Sequence, residues 1–260
     1  MRLPYHIIDA FADHVFRGNP AAVVPLRDFL PDALMQSIAA ENNLSETAFV
    51  VAHGEELRLR WFTPTGEVEL CGHATLATAF VLLQSGIPAP WRFHTRSGRL
   101  TVTYDGTRLV MDFPAWKATQ VPAPPGLAEA LGATPREVHC ARDWIAVFDT
   151  PASVIALRPD HARIAALPGE RVIVTAQGGD DADITSRYFA AKLGINEDPV
   201  TGAAHTQLVP FWAARLNRTR LVCRQASARG GTLWCEFLGD RVKLGGTAVP
   251  YARGEILVPD

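Results

Sequence analysis

The stretch Leu57-Arg58-Leu59-Arg60-Trp61-Phe62 alternates apolar and polar side chains, as a strand with one buried face requires. Residues 5–11 and 21–26 are also β-rich, and Arg17-Gly18-Asn19-Pro20 between them signals a turn. Pro31 and Asp32 open a helix to about Glu41, because Leu34, Ile38 and Glu41 recur three to four apart and Asn42-Asn43 offers a stop. A strand is predicted over 47–51. Residues 67–71 alternate again and end at Gly72-His73, after which an apolar helix runs from Ala74 to about Gln84, with Gly86 where a helix C-cap belongs. A hairpin over 91–95 and 99–104 and a strand over 107–113 follow, the latter after Asp105-Gly106.

Pro114, Pro122, Pro124 and Pro125 then cluster, which marks a boundary between halves. The expected lobes are 1–114 and 115–260, with a return of the last strand to the first lobe left open. In the second half, strands are predicted near 144–148, 171–176 and 184–190, with a short helix near 161–167. A loop over 194–202 leads to a helix from Ala203 to about Leu216, and three strands, 220–226, 232–238 and 241–244, close the chain.

The halves repeat one pattern. An aromatic strand, a loop, Cys71-Gly72-His73-Ala74-Thr75, an apolar helix and hairpins come first. An aromatic strand at Tyr188-Phe189, a loop, Thr201-Gly202-Ala203-Ala204-His205, an apolar helix and hairpins come second. Duplication of this kind predicts an α/β (α+β) chain of two pseudo-equivalent lobes, each a sheet rolled around a central helix. Residues 57–113 would then correspond to 184–244, with Gly72 matched to Gly202.

Composition narrows the function. With 48% hydrophobic residues in 260, the chain can bury cores without staples. Its 25 Lys+Arg against 27 Asp+Glu form no like-charge block, which gives nucleic acid and membrane surfaces no electrostatic support. Pro4, His6 and Asp9 interrupt any signal-peptide core, and no run nears the roughly 18 apolar residues of a membrane span. Cys71, Cys140, Cys223 and Cys235 match no metal-finger spacing, so free thiols in a cytoplasmic protein are expected. No dinucleotide or phosphate-loop motif, no H-E-x-x-H and no G-x-S-x-G is present, so neither cofactor nor metal is expected.

The glycine-to-helix junctions hold the candidate chemistry. A helix start offers unpaired N–H groups and partial positive charge, and two such starts facing one another would bind a carboxylate or a developing enolate. His73 opens the first helix, where the dipole favours a neutral ring able to act as acid, base or donor. Asp198 lies four residues before Gly202. Glu46 sits between a helix and a strand, where a cleft edge would suit a general base. Taken singly, each also has a plain structural reading: surface charge for Glu46, helix capping for Asp198, a packed polar residue for His73. Cys71 is the one thiol beside a helix start, and a small buried residue at a strand end is its alternative.

Four motifs then resemble a known family. Asp9-Ala10-Phe11 with Gly18-Asn19-Pro20-Ala21-Ala22-Val23-Val24, then Asn43-Leu44-Ser45-Glu46-Thr47, is similar to the start of PhzF-like (phenazine biosynthesis-like) isomerases. Cys71-Gly72-His73-Ala74-Thr75 and Glu197-Asp198-Pro199-Val200-Thr201-Gly202 follow in family order, so the resemblance spans the chain. It implies a diaminopimelate epimerase-like fold and a cofactor-independent isomerase that moves a proton on a small, carboxylated substrate. Glu46 matches the general acid/base, His73 and Asp198 the other catalytic positions, and Gly72, Gly202, Ala203, Asn19 and Ser45 the substrate-binding ones. The family often has Ser where this chain has Ala203, so a hydroxyl donor is lost there. Thiol-using relatives carry a Cys before each helix; here Thr201 stands opposite Cys71, which disfavours a two-thiol racemase. The resemblance also implies a homodimer. Two other readings stand beside the isomerase: a non-catalytic small-molecule-binding or interaction protein retaining the fold, and a one-thiol epimerase using Cys71.

Overall fold

In the computed structural model, which describes residues 1–54 and 56–259, the chain divides into two compact units. Residues 1–112 and the C-terminal segment from Gly245 form the first, and Phe113–Leu244 form the second. The first contains β1 (Arg2–Ala10), β2 (Asn19–Leu26), α1 (Asp32–Asn42), β3 (Glu46–His53), β4 (Glu56–Phe62), β5 (Glu67–Val68), α2 (Gly72–Gln84), β6 (Trp91–Thr95), β7 (Gly98–Tyr104) and the larger part of β8 (Leu109–Pro114). The second contains β9 (Thr119–Gln120), α3 (Leu127–Leu131), β10 (Glu137–Cys140), β11 (Trp144–Val147), α4 (Pro151–Ala156), α5 (His161–Ala166), β12 (Val172–Gln177), β13 (Ile184–Phe189), α6 (Gly202–Leu216), β14 (Arg220–Gln225), β15 (Gly231–Phe237) and β16 (Arg241–Gly246). A last strand, β17 (Ala248–Leu257), pairs antiparallel with β1 along its length and belongs to the first unit.

β17 corrects the expectation that three strands close the chain. Its side chains are mostly half-exposed or exposed on both faces, and it contains Pro250 and Gly254. An outer strand of that kind carries no apolar alternation to read.

Strand pairing follows the same succession in both units. β1–β2 is antiparallel, β2–β3 parallel, β3–β4 antiparallel, β4–β6 parallel and β6–β7 antiparallel. β10–β11 is antiparallel, β11–β12 parallel, β12–β13 antiparallel, β13–β14 parallel and β14–β15 antiparallel. α1 fills the first parallel crossover and α4 with α5 its counterpart; α2 and α6 fill the second. Parallel neighbours need such helical crossovers.

α2 is the core of the first unit. Nine of its thirteen residues are buried, from His73 to Leu82, so it is apolar all round, as an interior helix must be. It packs on β1, β2, β3 and β17. The N-terminal motif shapes the same core. Buried Asp9 accepts a hydrogen bond from the Phe16 N–H (2.9 Å), which pins the turn between β1 and β2. Gly18 in that turn has φ +65°, and a Cβ there would strike the Ala10 carbonyl and come within 2.9 Å of Ala12 Cβ.

Candidate active site

Glu46 is placed by the end of α1. Asn43 takes the left-handed conformation (φ 48°) as the C-cap and donates its N–H to Ala39 O, which ends the helix. Three residues later Glu46 opens β3, paired in register with Ala21 of β2. The Asn42 amide donates to Thr47 Oγ1 (3.0 Å) and locks this junction. Ser45 is half-buried beside Glu46, and Asn19 is fully buried at the start of β2.

The start of α2 brings Cys71 and His73 to the same place. His73 Nε2 lies 3.2 Å from Glu46 Oε2, with side-chain exposures of 7% and 14%. Cys71 Sγ lies 3.5 Å from His73 Nδ1. The close approach of His73 and Glu46 is an ion pair without hydrogen-bond alignment: neither His73 Nε2 nor Glu46 Oε2 has a hydrogen-bond partner, although both are buried. Each atom has the other as its near polar neighbour, so both keep hydrogen-bonding capacity that a substrate group could take up. Burial, and then the Glu46 charge, push the Cys71 thiol up to about 11. Burial opposes charge on His73, but the Cys71 sulfur and the Glu46 carboxylate outweigh it and hold the ring well above the ordinary histidine value. This direction is opposite to the one the helix start alone favours, because two close neighbours act on the ring.

Gly72 and Gly202 are each the first residue of a helix, and neither takes left-handed backbone. A left-handed turn therefore does not explain them. Neither α2 nor α6 has a side-chain cap, which leaves first-turn N–H groups for other acceptors.

In the second unit, a polar network holds the loop before α6. Arg187 is buried and binds Glu197 through two bonds (2.7 and 2.9 Å), while its Nη1 donates to the carbonyls of Val154 and Leu157. The Asp198 N–H donates to Tyr188 O (3.0 Å), and Asp198 accepts from the Thr201 hydroxyl. Gln225 bridges the two, donating to Asp198 O (2.7 Å) and accepting from the Thr201 N–H (2.9 Å). Asp198 thus orients Thr201, the residue preceding α6, and is not itself the cap of α6. Ala203 is exposed on the first turn of α6, and fully buried His205 sits one turn on. His205 Nδ1 lies 2.8 Å from Thr201 O, which can only accept, so Nδ1 carries the proton and Nε2 is left as a buried acceptor without a partner. Burial brings its pKa down to about 4.

Sequence reasoning missed two residues here. Buried Gln207 of α6 accepts from the N–H groups of both Arg142 and Asp143 (3.0 Å each) and donates to Asp143 Oδ2 (2.7 Å). This clamp holds the β10–β11 turn beside α6. The Arg142 guanidinium lies 5.2 Å over the Trp116 ring, and the Trp116 N–H donates to Thr206 O on α6. Among the described residues Arg142 forms no ion pair. Side-chain-to-backbone contacts more than sixty positions apart leave no periodic trace in a sequence.

One cluster could hold a metal: ligand atoms of Glu46, Cys71 and His73 all lie within 4.8 Å of one another. No helix among the described residues is long and apolar enough to cross a membrane.

With this geometry established, the chain was compared with known proteins. The family described as Phenazine biosynthesis-like protein matches residues 8–254. An uncharacterized isomerase of Pseudomonas aeruginosa is 50% identical over 258 residues, covering 98% of this chain and 99% of the relative. The crystal structure of a PhzF-family phenazine biosynthesis protein from Enterococcus faecalis superposes with TM-score 0.97 at 49% identity, covering 99% of this chain and all of the other. A hydroxyproline epimerase from Agrobacterium vitis, solved with bound trans-4-hydroxy-L-proline, shares the fold alone, at TM-score 0.61 and 10% identity.

Proposed function

The chain belongs to the phenazine biosynthesis-like (PhzF-like) isomerase family, and from that premise we propose that it moves a proton on a small carboxylated substrate with Glu46 as the general acid/base. The observation that carries this reading is the buried pairing of Glu46 with His73 beside the start of α2, both atoms keeping hydrogen-bonding capacity to spare.

In this reading Glu46 takes a proton from a substrate carbon and returns it to another. His73, held protonated by its neighbours, donates toward the oxygen on which negative charge grows. The Gly72 and His73 N–H groups at the start of α2 add to that stabilisation. Asp198 is the further catalytic residue of this reading, and Gly72, Gly202, Ala203, Asn19 and Ser45 are its substrate-binding residues. The repeated strand succession supports descent of the two units from one duplicated ancestor.

Two observations weigh against Cys71 as the base. Its thiol is 5% exposed and pushed up to about 11, so the nucleophilic thiolate is scarce at neutral pH. Thr201 occupies the matching place before α6. Small carboxylic acids with an acidic C–H, incubated with enzyme in deuterated water, test the reading: enzyme-dependent deuterium incorporation supports it. A protein that binds such acids and exchanges none of them is a binding protein.

A further inference from the structure

We propose that the outer face of β4 and β6 carries a binding site for a phosphate-bearing small molecule, in a pocket that shares no residue with the Glu46–His73 pair. The pocket has a volume of about 380 Å³ and lies within the first unit, where Phe29, Asp32, Arg58, Arg60 and Arg96 line it. A volume of that order suits a small molecule larger than a bare anion. The parallel register of β4 with β6 sets Arg58 beside His94. Successive side chains alternate across a strand, so Arg60 and Arg96, two positions on, share that face. They meet there on one carboxylate: Arg60 Nη2 and Arg96 Nη2 lie 2.7 and 2.9 Å from the same oxygen, Glu67 Oε2.

Charge in this pocket does not balance. Glu67 serves two guanidinium groups at once, and Asp32 accepts from Arg60 Nη1 (2.8 Å). Arg58 forms no ion pair among the described residues; its guanidinium lies 4.7 Å over the Phe29 ring. Three guanidinium groups thus face two carboxylates, an excess of positive charge in a chain whose formal net charge is −2. His94 adds nothing to that excess, because Glu56 binds its Nε2. Arg60 is the strut of the site, 17% exposed and held by both carboxylates. Arg58 and Arg96 are its binding arms: both are exposed, and Arg96 keeps Nε and Nη1 beyond its contact with Glu67. A guanidinium fork matches phosphate oxygens two at a time, and stacking on an aromatic ring leaves the N–H edge open for them. A doubly charged phosphate engages both arms, which a single carboxylate does not. Phe29, partly buried against the α1 core, gives the body of the ligand an apolar wall. The inference rests on this geometry and stands apart from the isomerase reading.

The test is isothermal titration calorimetry of the full-length protein with phenyl phosphate, with benzoate as the singly charged comparator. One site for phenyl phosphate is expected, weakened by added salt because its arms are exposed. Arg58→Gln and Arg96→Gln should each weaken binding about tenfold, and the double variant should lose it, with circular dichroism to verify the fold. Glu46→Gln, outside this pocket, should bind phenyl phosphate as the wild type does. Binding that survives in the double variant, or that Glu46→Gln removes, overturns the proposal and places the anion elsewhere. Benzoate bound as tightly as phenyl phosphate overturns the assignment to phosphate. A wild type that binds no phenyl phosphate at millimolar concentration overturns the site itself.

Discussion

Replacing Glu197 by Gln probes the anchor of the loop that carries Asp198. Gln keeps the shape of the side chain and one acceptor but removes its charge. Arg187, 8% exposed, would then hold its guanidinium against a neutral amide and the carbonyls of Val154 and Leu157. Breaking a buried pair costs about 3–5 kcal/mol. Glu197 is 21% exposed, and the two carbonyl bonds survive, so a loss of about 1–3 kcal/mol is the appropriate expectation. For units of this size that corresponds to a fall in Tm of roughly 3–9 °C, at about 3 °C per kcal/mol. Differential scanning calorimetry measures it, with circular dichroism to verify the native fold at 20 °C. The double variant Arg187→Met/Glu197→Leu should recover part of the loss, because a buried pair is replaced with packed apolar volume. A Tm within 1 °C of wild type in Glu197→Gln would refute the view that this pair anchors the loop.

Histidine NMR titrations should show two opposite behaviours. His73 has a raised pKa, so its contribution to stability is complete below the ordinary histidine value and is lost as pH rises through the folded value; Glu46→Gln should lower that value. His205 has a lowered pKa of about 4, so stability present above the unfolded value near 6.5 is lost as pH falls toward 4, by about 3 kcal/mol in full. A His73 ring that is neutral at pH 7, or a His205 ring that is charged there, contradicts these assignments. Gln207→Met should free the β10–β11 turn, since it removes the acceptor of the Arg142 and Asp143 N–H groups and a donor to Asp143 Oδ2, and should cost about 1–3 kcal/mol in thermal unfolding. A Tm unchanged from wild type would show that Gln207 does not hold the turn.

Much of this was legible from the chain itself. β3, β4, β6 and α2 each bury one face or most of their surface, and burial imposes the periodicity by which they are read. β17 has no such face, and β10, α3 and α4 are too short for a period to emerge. The candidate site was half legible. Glu46 and the Cys71–Gly72–His73 run signal their places by junctions, but their meeting depends on the register of β2 with β3 and the seat of α2 against both. The neighbours that act on His73 were not legible, because Glu46 lies far from it in the chain and only the fold brings the two together. Glu197 gave no sign of its partner Arg187, since a strand residue facing a loop ten positions on leaves no pattern.

The assignment of Glu46 as the base is tested most directly by deuterium exchange into a substrate acid, compared between wild type and Glu46→Gln. Gln retains size and hydrogen bonding but cannot take the proton. Exchange should fall by about 10²–10⁴ in Glu46→Gln, with binding of the acid changed far less and Cys71→Ser only mildly affected. Exchange undiminished in Glu46→Gln and abolished in Cys71→Ser would contradict it and place the thiol at the centre of the reaction.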